Sequence, residues 1–332
     1  MTRLINTGFE TGDKLDFTST TGTVQTSIVY TGGYALGITG SAAFDLPVPV
    51  PGDVLYLSFF LYTDLGSSSI IDFMRVRDIS GVGLLEFSAN ISGVAYLYRS
   101  GTLLATSSSP VFQDLAWHHV EIFVTIADSG GRGVLKVNGV TVIDFTGDTK
   151  PGTNTDIYTF AASVGNNFAY YYDDLVVNDD GGSAPDNTYP GRVRLFPLRP
   201  TGAGNYTQWD RGGTDSGANW SQVEEVPASS VDYVTTTVDD EIDSYALANL
   251  SGLPAGASFK SVIVVAEAML DSGSKKLALG VRSGSTDSFG ADKGLGTSYS
   301  PKYERFTTDP ADSNPWTETD INAVEAAIKS RA

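Results

Sequence analysis

The 332-residue chain contains no cysteine. That excludes disulfides, zinc–thiolate sites, iron–sulfur clusters and thiol nucleophiles together. Histidine is nearly absent too, with only His118 and His119, adjacent on the chain. A Ser-His-Asp triad would have to use one of them, and no Gly-x-Ser-x-Gly elbow exists to receive it. Basic residues are few: 21 Lys and Arg stand against 39 Asp and Glu, a formal net charge of −18. Such an acid excess argues against nucleic acid, whose binding needs a basic face to displace counterions. It argues equally against docking on anionic lipid. Long apolar runs are missing, and the densest, residues 54–62, is half the length of a membrane span. The opening Met1-Thr2-Arg3-Leu4-Ile5-Asn6 leads into Gly, Glu and Asp without an apolar h-region, so no signal peptide is expected. Together with the missing cysteines, this points to synthesis in a bacterial cytoplasm.

What is present is the material of sheets. The chain has 36 Gly, 16 Tyr and 16 Phe, and is 41 % hydrophobic but only 18 % charged. It is apolar enough to bury real cores and too weakly charged to stay disordered. Strand-forming runs follow one another at 54–62, 70–76, 84–87 and 94–98. Val120, Ile122, Val124 and Ile126 alternate with His119, Glu121, Phe123 and Thr125, a period of two with one buried face. Asn138-Gly139 between two apolar runs predicts a two-residue hairpin, because both residues tolerate positive φ. Runs at 157–164 and 170–177 complete this half. No segment carries a sustained 3.6-residue stripe. About ten strands in this space predict a β-sandwich of the jelly-roll type.

Residues 179–191, Asp-Asp-Gly-Gly-Ser-Ala-Pro-Asp-Asn-Thr-Tyr-Pro-Gly, have almost nothing to bury and read as a linker. They separate a first domain, 1–178, from a second, 192–332. The second begins with a strand at 192–196, has a central one around Val262-Ile263-Val264-Val265, and alternates at 276–282. Thr317 with Asp320 three residues on forms a capping-box pattern, predicting a short helix at 317–322 and then a final strand; the alternative is a continuous helix to Lys329. The expected fold class is all-β: two β-sandwich, jelly-roll-like domains with one short helix near the C-terminus.

Three segments of the first half resemble a concanavalin A/laminin G-like jelly roll. They are Trp117-His118-His119-Val120-Glu121, Leu135-Lys136-Val137-Asn138-Gly139 and Tyr172-Asp173-Asp174-Leu175-Val176-Val177. The second half resembles a C-terminal region of tailed-bacteriophage virion proteins, where it follows a laminin G-like domain directly. The carriers are Pro190-Gly191-Arg192-Val193, Gly204-Asn205-Tyr206-Thr207-Gln208-Trp209, Val281-Arg282-Ser283-Gly284, and Thr308-Asp309-Pro310 to Pro315-Trp316-Thr317 with Asp320-Ile321-Asn322-Ala323. Similar proteins finish on a more apolar strand, whereas Glu325, Lys329 and Arg331 make this end polar. The resemblance implies a virion component that is non-catalytic: a structural or accessory protein decorating the capsid or forming a head or tail appendage. Its partners would be other virion proteins and its own copies, as a homo-oligomer, a trimer by the habit of such appendages. The alternative is a glycan-binding adhesin on the host surface, and a third reading is a glycan depolymerase.

Each candidate site has an ordinary structural counterpart. His118 and His119 point to opposite faces of a strand and cannot both reach one ligand. With Trp117, Asn138 and Gly139, His119 reads as a signature of the fold. Sandwich glycan hydrolases resemble Glu-x-Asp-x-x-Glu on one strand, and the nearest match, Glu241-Ile242-Asp243-Ser244-Tyr245-Ala246, lacks the last carboxylate. Asp173, Asp174 and Asp179 could ligate calcium, a hard cation that takes oxygen ligands, or form a solvated acidic strand end. No other cofactor is implied. Tyr170 and Tyr172, with Asn166 and Asn167 close by, could stack on a sugar and hydrogen-bond to it, or belong to the core. Trp209, Trp220 and Trp316 sit among Gly, Asn and Asp as loop anchors or subunit-contact residues.

Overall fold

The computed structural model describes residues 3–14, 17, 19–39, 43–66, 70–163, 169–182, 184, 186–214 and 216–332. The chain is all-β and forms two units, Met1–Phe196 and Pro197–Ala332. Among the described residues no helix is long and apolar enough to cross a membrane.

The first unit is a sandwich of two antiparallel sheets. One sheet runs in the order Val140–Gly147, Gly131–Val137, Ala116–Thr125, Val54–Asp64, Ala169–Asn178, Ala35–Thr39, Thr23–Gln25, and Arg3–Thr7 also pairs with Ala169–Asn178. The other runs Thr102–Thr106, Ala95–Arg99, Gly83–Ala89, Ile71–Arg77, Ile157–Ser163, Ala43–Gly52, Ser19–Thr20. The period of two decides which side chains meet between them. Leu55, Leu57, Phe59 and Leu61 of the first sheet join one buried cluster with Phe73, Val76, Leu85, Phe87, Leu97 and Phe160 of the second. Each such side chain contributes about 1.5–3 kcal/mol by leaving water, which is why this alternation fixes the register.

The hairpin at Asn138-Gly139 forms as its residues demand, with φ of 52° and 83°. Its Asn138 also closes back on the neighbouring strand. The side-chain Oδ1 accepts from His119 N at 3.0 Å, and Nδ2 lies 3.3 Å from His118 Nδ1.

The stretch expected to be a linker is a correction. Residues 188–195 belong to the first unit and cross the outer face of its first sheet. Thr188 O accepts from Asn178 Nδ2 at 2.7 Å, Gly191 O from Ser58 Oγ at 2.7 Å, and Leu195 N donates to Asp174 Oδ1 at 2.7 Å. The Tyr189 ring packs edge-on against Tyr56 at 5.3 Å and lies under Lys136 Nζ at 3.5 Å. One aromatic ring and several main-chain bonds dock the strap, so hydropathy alone does not reveal it. The expected strand at 192–196 is absent.

In the second unit a sheet runs Pro200–Thr207, Ile242–Leu247, Glu325–Arg331, Lys276–Ser283, Thr286–Phe289, with Lys293–Gly294 paired to Lys276–Ser283. Two ribbons stand apart from it: Asp210–Gly212 with Tyr233–Thr235, and Val262–Ala268 with Ser300–Phe306. The short helix is Glu318–Ala323, and its Thr317–Asp320 capping box is complete. The polar final strand lies in the middle of the sheet, with Ala327, Ile328 and Ser330 buried and Glu325, Lys329 and Arg331 half-buried.

Candidate functional site

Tyr170 and Tyr172 sit inside the sandwich. Both rings are buried, and Tyr172 packs on Phe44 at 5.2 Å and donates its hydroxyl to Phe73 O at 2.6 Å. Neither presents a face to a sugar, which corrects the expectation for this pair; the core needs them as apolar filling with one satisfied polar tip. Asn166 and Asn167 lie outside the described residues.

The acidic cluster is also re-read. Asp173 Oδ2 accepts from Tyr30 N at 2.8 Å and Thr31 N at 3.0 Å, while Oδ1 accepts from Asp174 N at 2.8 Å. Asp174, at φ 51° beside a bulge in its strand, receives Leu195 N on Oδ1. Its Oδ2 lacks a well-formed hydrogen bond, and so does the neighbouring Thr31 hydroxyl. Burial pushes Asp173 up to about 7, against its main-chain donors. Asp174 is pushed well above the ordinary range by burial and then by the Asp173 carboxylate. Asp179 is not with them. It lies beyond the end of the strand, where Oδ1 accepts from Gly181 N at 2.9 Å. Five residues of extended chain separate it from Asp174 by about 17 Å. The calcium set Asp173, Asp174, Asp179 is therefore not assembled, and among the described residues no group of three His, Asp or Glu is placed to hold a metal ion. The paired carboxylates hold the 30–31 loop and the strap onto the sheet.

The two histidines are buried on opposite faces. His118 Nε2 accepts from Gln113 N at 3.0 Å, and burial lowers its pKa. His119 Nε2 lies 2.9 Å from Ser58 Oγ, and burial lowers it to about 4. Ser58 Oγ donates to Gly191 O at 2.7 Å, and His119 Nε2 also lies 3.3 Å from that carbonyl, so the three groups form one buried knot that ties the strap to the sheet. In the second unit Asp243 is buried as well. It accepts from Trp209 N at 3.1 Å, Asn219 Nδ2 at 2.8 Å and Tyr245 Oη at 3.1 Å, which anchors the Trp209 loop. Trp316 is likewise an anchor, donating to Phe306 O at 2.9 Å.

What remains on the outer face of the first sheet is aromatic. Trp117, Tyr62 and Tyr171 come from three adjacent strands in direct register, Trp117 opposite Tyr62 and Tyr62 opposite Tyr171. All three are half-buried. Their rings meet edge-on, Tyr62–Trp117 at 5.5 Å and Tyr62–Tyr171 at 5.7 Å. Gly37 opposite Tyr171 leaves room for that ring, since a Cβ there would stand 3.1 Å from Tyr171 Cε1. Tyr30 closes one side. It stacks on Phe60 at 3.7 Å and lies 5.5 Å from Trp117. Arg194 lies over its ring at 4.7 Å, and Arg192 and Arg194 both donate to its hydroxyl, at 3.0 and 2.6 Å. In the sequence Trp117 stands out as part of the fold signature and Arg192 as part of the C-terminal resemblance, neither as a member of this group. The period of two places Trp117 on the face of His119. Tyr30 and the arginines meet across more than 160 residues, and nothing local marks them.

No protein-family model matches the chain, and no curated protein matches it. Solved structures do. An endo-β-1,4-glucuronan lyase from the fungus Trichoderma reesei aligns over 49 % of this chain and 90 % of its own, with TM-score 0.37 and 13 % identity. A galectin-like-fold protein of unknown function from Bacillus subtilis aligns over 54 % and 98 %, with TM-score 0.38 and 13 % identity. A carbohydrate-binding module, CBM66, from Bacillus subtilis aligns over 48 % and 94 %, with TM-score 0.33 and 13 % identity. At that level of similarity, what the chain does has to be read from its own residues.

Proposed function

We propose that the chain is a non-catalytic accessory protein that contacts carbohydrate through the outer face of its first sandwich. The supporting observation is the solvent-edge cluster of Trp117, Tyr62 and Tyr171, built on three strands of a rigid sheet. Sugars offer apolar C–H faces ringed by hydroxyls, and a half-buried aromatic surface with polar neighbours suits them. The non-catalytic part of the reading rests on how the titratable groups are used. His119 is buried and bonded with Ser58 at the Gly191 carbonyl, and Asp173 and Asp174 are tied to main-chain amides.

The setting we propose is a tailed-phage particle, as capsid decoration or as a head or tail appendage, on the strength of the sequence resemblance. In that setting the second unit is the assembly half and the chain a homo-oligomer, a trimer by analogy. The ribbon Val262–Ala268 with Ser300–Phe306 fits such a role. It joins no further strand among the described residues, and Val265 on it is exposed.

The test is binding of the recombinant protein to host-cell envelopes with and without a calcium chelator, while released sugar is assayed as reducing ends. Saturable, chelator-insensitive binding without release is expected. Release of sugar would overturn the non-catalytic reading, and absence of any binding would leave particle decoration alone. Failure to co-purify with virions would sink the phage setting.

A further inference from the structure

We infer that the carbohydrate face selects an acidic sugar, with Arg192 and Arg194 receiving a carboxylate of the uronate type while the ring lies against Trp117. This deepens the carbohydrate reading and rests on it.

The inference starts from hydrogen-bond inventory. A phenol oxygen has one proton and two lone pairs, and a guanidinium has five N–H donors and no acceptor. Arg192 Nη2 and Arg194 Nη2 both donate to the Tyr30 oxygen. Its lone pairs are thus occupied, and only its proton remains to be given. Each arginine shows one such bond, and among the described residues neither forms an ion pair with a carboxylate. The group is donor-only: one hydroxyl and two guanidiniums, with N–H groups to spare. Asp173, the nearest buried acid in the chain of contacts, reaches Tyr30 only through the main-chain N–H.

Charge sharpens the point. In a chain of net charge −18, two adjacent guanidiniums without acidic partners are out of keeping with their surroundings. Other arginines of this unit are paired: Arg75 with Asp72, Arg77 with Asp45, Arg99 with Asp148, and Arg132 with Asp144. Arg194 is held in place by stacking on Tyr30, and Arg192 lies 5.4 Å from the Phe60 ring centroid. Planar, pre-oriented guanidiniums match the two oxygens of a carboxylate. One phenol ring, Tyr30, separates them from the Trp117 indole. A pyranose is a six-membered ring of similar span, so one sugar residue can lie on the indole and place its carboxylate at the arginines. The long-range field of the protein repels anions. Selection here acts at contact distance.

The experiment uses the full chain and two probes that differ at the carboxyl group, tetragalacturonate and its fully methyl-esterified, uncharged form, titrated by calorimetry. The acid form is expected to bind at least about tenfold more tightly than the ester, the scale of one charge-assisted hydrogen bond. Arg192 is exposed, so Arg192→Ala should keep the melting temperature and remove that preference. Arg194→Lys should keep part of it, retaining charge but losing the planar fork. Equal binding of acid and ester would overturn the acidic-sugar inference while leaving the carbohydrate reading standing. A preference that survives Arg192→Ala and Arg194→Lys unchanged would overturn the assignment to these arginines. If the acid does not bind while envelope binding persists, the inference falls alone. If envelope binding is absent as well, the carbohydrate reading falls with it.

Discussion

Asp174 combines three unfavourable features in the first unit. It is buried beside Asp173, takes a positive φ, and keeps one carboxylate oxygen without a good partner. Both carboxyls are raised in the folded protein, Asp173 to about 7. A raised folded pKa means that the native state holds protons the unfolded chain has already released. The stability they contribute is present below the unfolded pKa, near 3.8, and is lost as pH rises through about 7. Urea midpoints should therefore fall between pH 5 and pH 8. Asp174→Asn should flatten that slope and stabilise the protein at pH 8 by about 1–3 kcal/mol. Asn accepts positive φ, keeps the acceptor for Leu195 N, and gives the Thr31 hydroxyl a donor. A variant less stable than the parent at pH 8, or a parent that gains stability on adding calcium, would contradict this account.

At the scale of elements, the hairpin shows local chemistry serving a distant purpose. Asn138-Gly139 turns the chain, and the Asn138 side chain then holds both histidines of the neighbouring strand Ala116–Thr125. Gly139→Ala should cost about 1–2 kcal/mol for the positive φ alone, read as a lower denaturation midpoint. Such local devices are legible in sequence. The Thr317–Asp320 capping box is another, because all its partners lie within three residues. Tyr170, Tyr171 and Tyr172 are legible only by halves. The period of two says that Tyr171 faces away from the others, but which face is the core depends on the second sheet. The sequence points to Tyr170 and Tyr172 as the sugar platform, whereas the half-buried, solvent-edge ring is Tyr171. The strap at 188–195 was not legible, since hydrogen bonds from main-chain atoms leave no pattern in side-chain hydropathy. Arg192 and Arg194 were legible as residues but not as a pair on Tyr30, because that meeting exists only once the sheet has formed.

The whole molecule divides after Phe196, not after the last strand of the first sheet. The division has an energetic consequence. A fragment ending at residue 178 leaves Asn178, Ser58 and Asp174 without the strap atoms they bond, and each buried orphan costs about 1–3 kcal/mol. The fragment 1–196 should melt cooperatively, and 1–178 should melt well below it or not fold, as followed by circular dichroism. Equal melting of the two would show the strap to be dispensable. The same strap carries Arg192 and Arg194, so the proposed binding face would be complete only in the longer fragment.

If the outer face around Trp117 is the carbohydrate surface, as proposed, the indole carries a large share of the contact. The most direct measurement is the titration of full-length protein with host-envelope polysaccharide, comparing Trp117→Ala with Val140→Ala. Val140 is 64 % exposed and lies in the hairpin, outside the aromatic cluster. Tenfold or greater weakening by Trp117→Ala, about 1.4 kcal/mol or more, with Val140→Ala binding like the parent, is the predicted result. Unchanged affinity in a folded Trp117→Ala protein would contradict it.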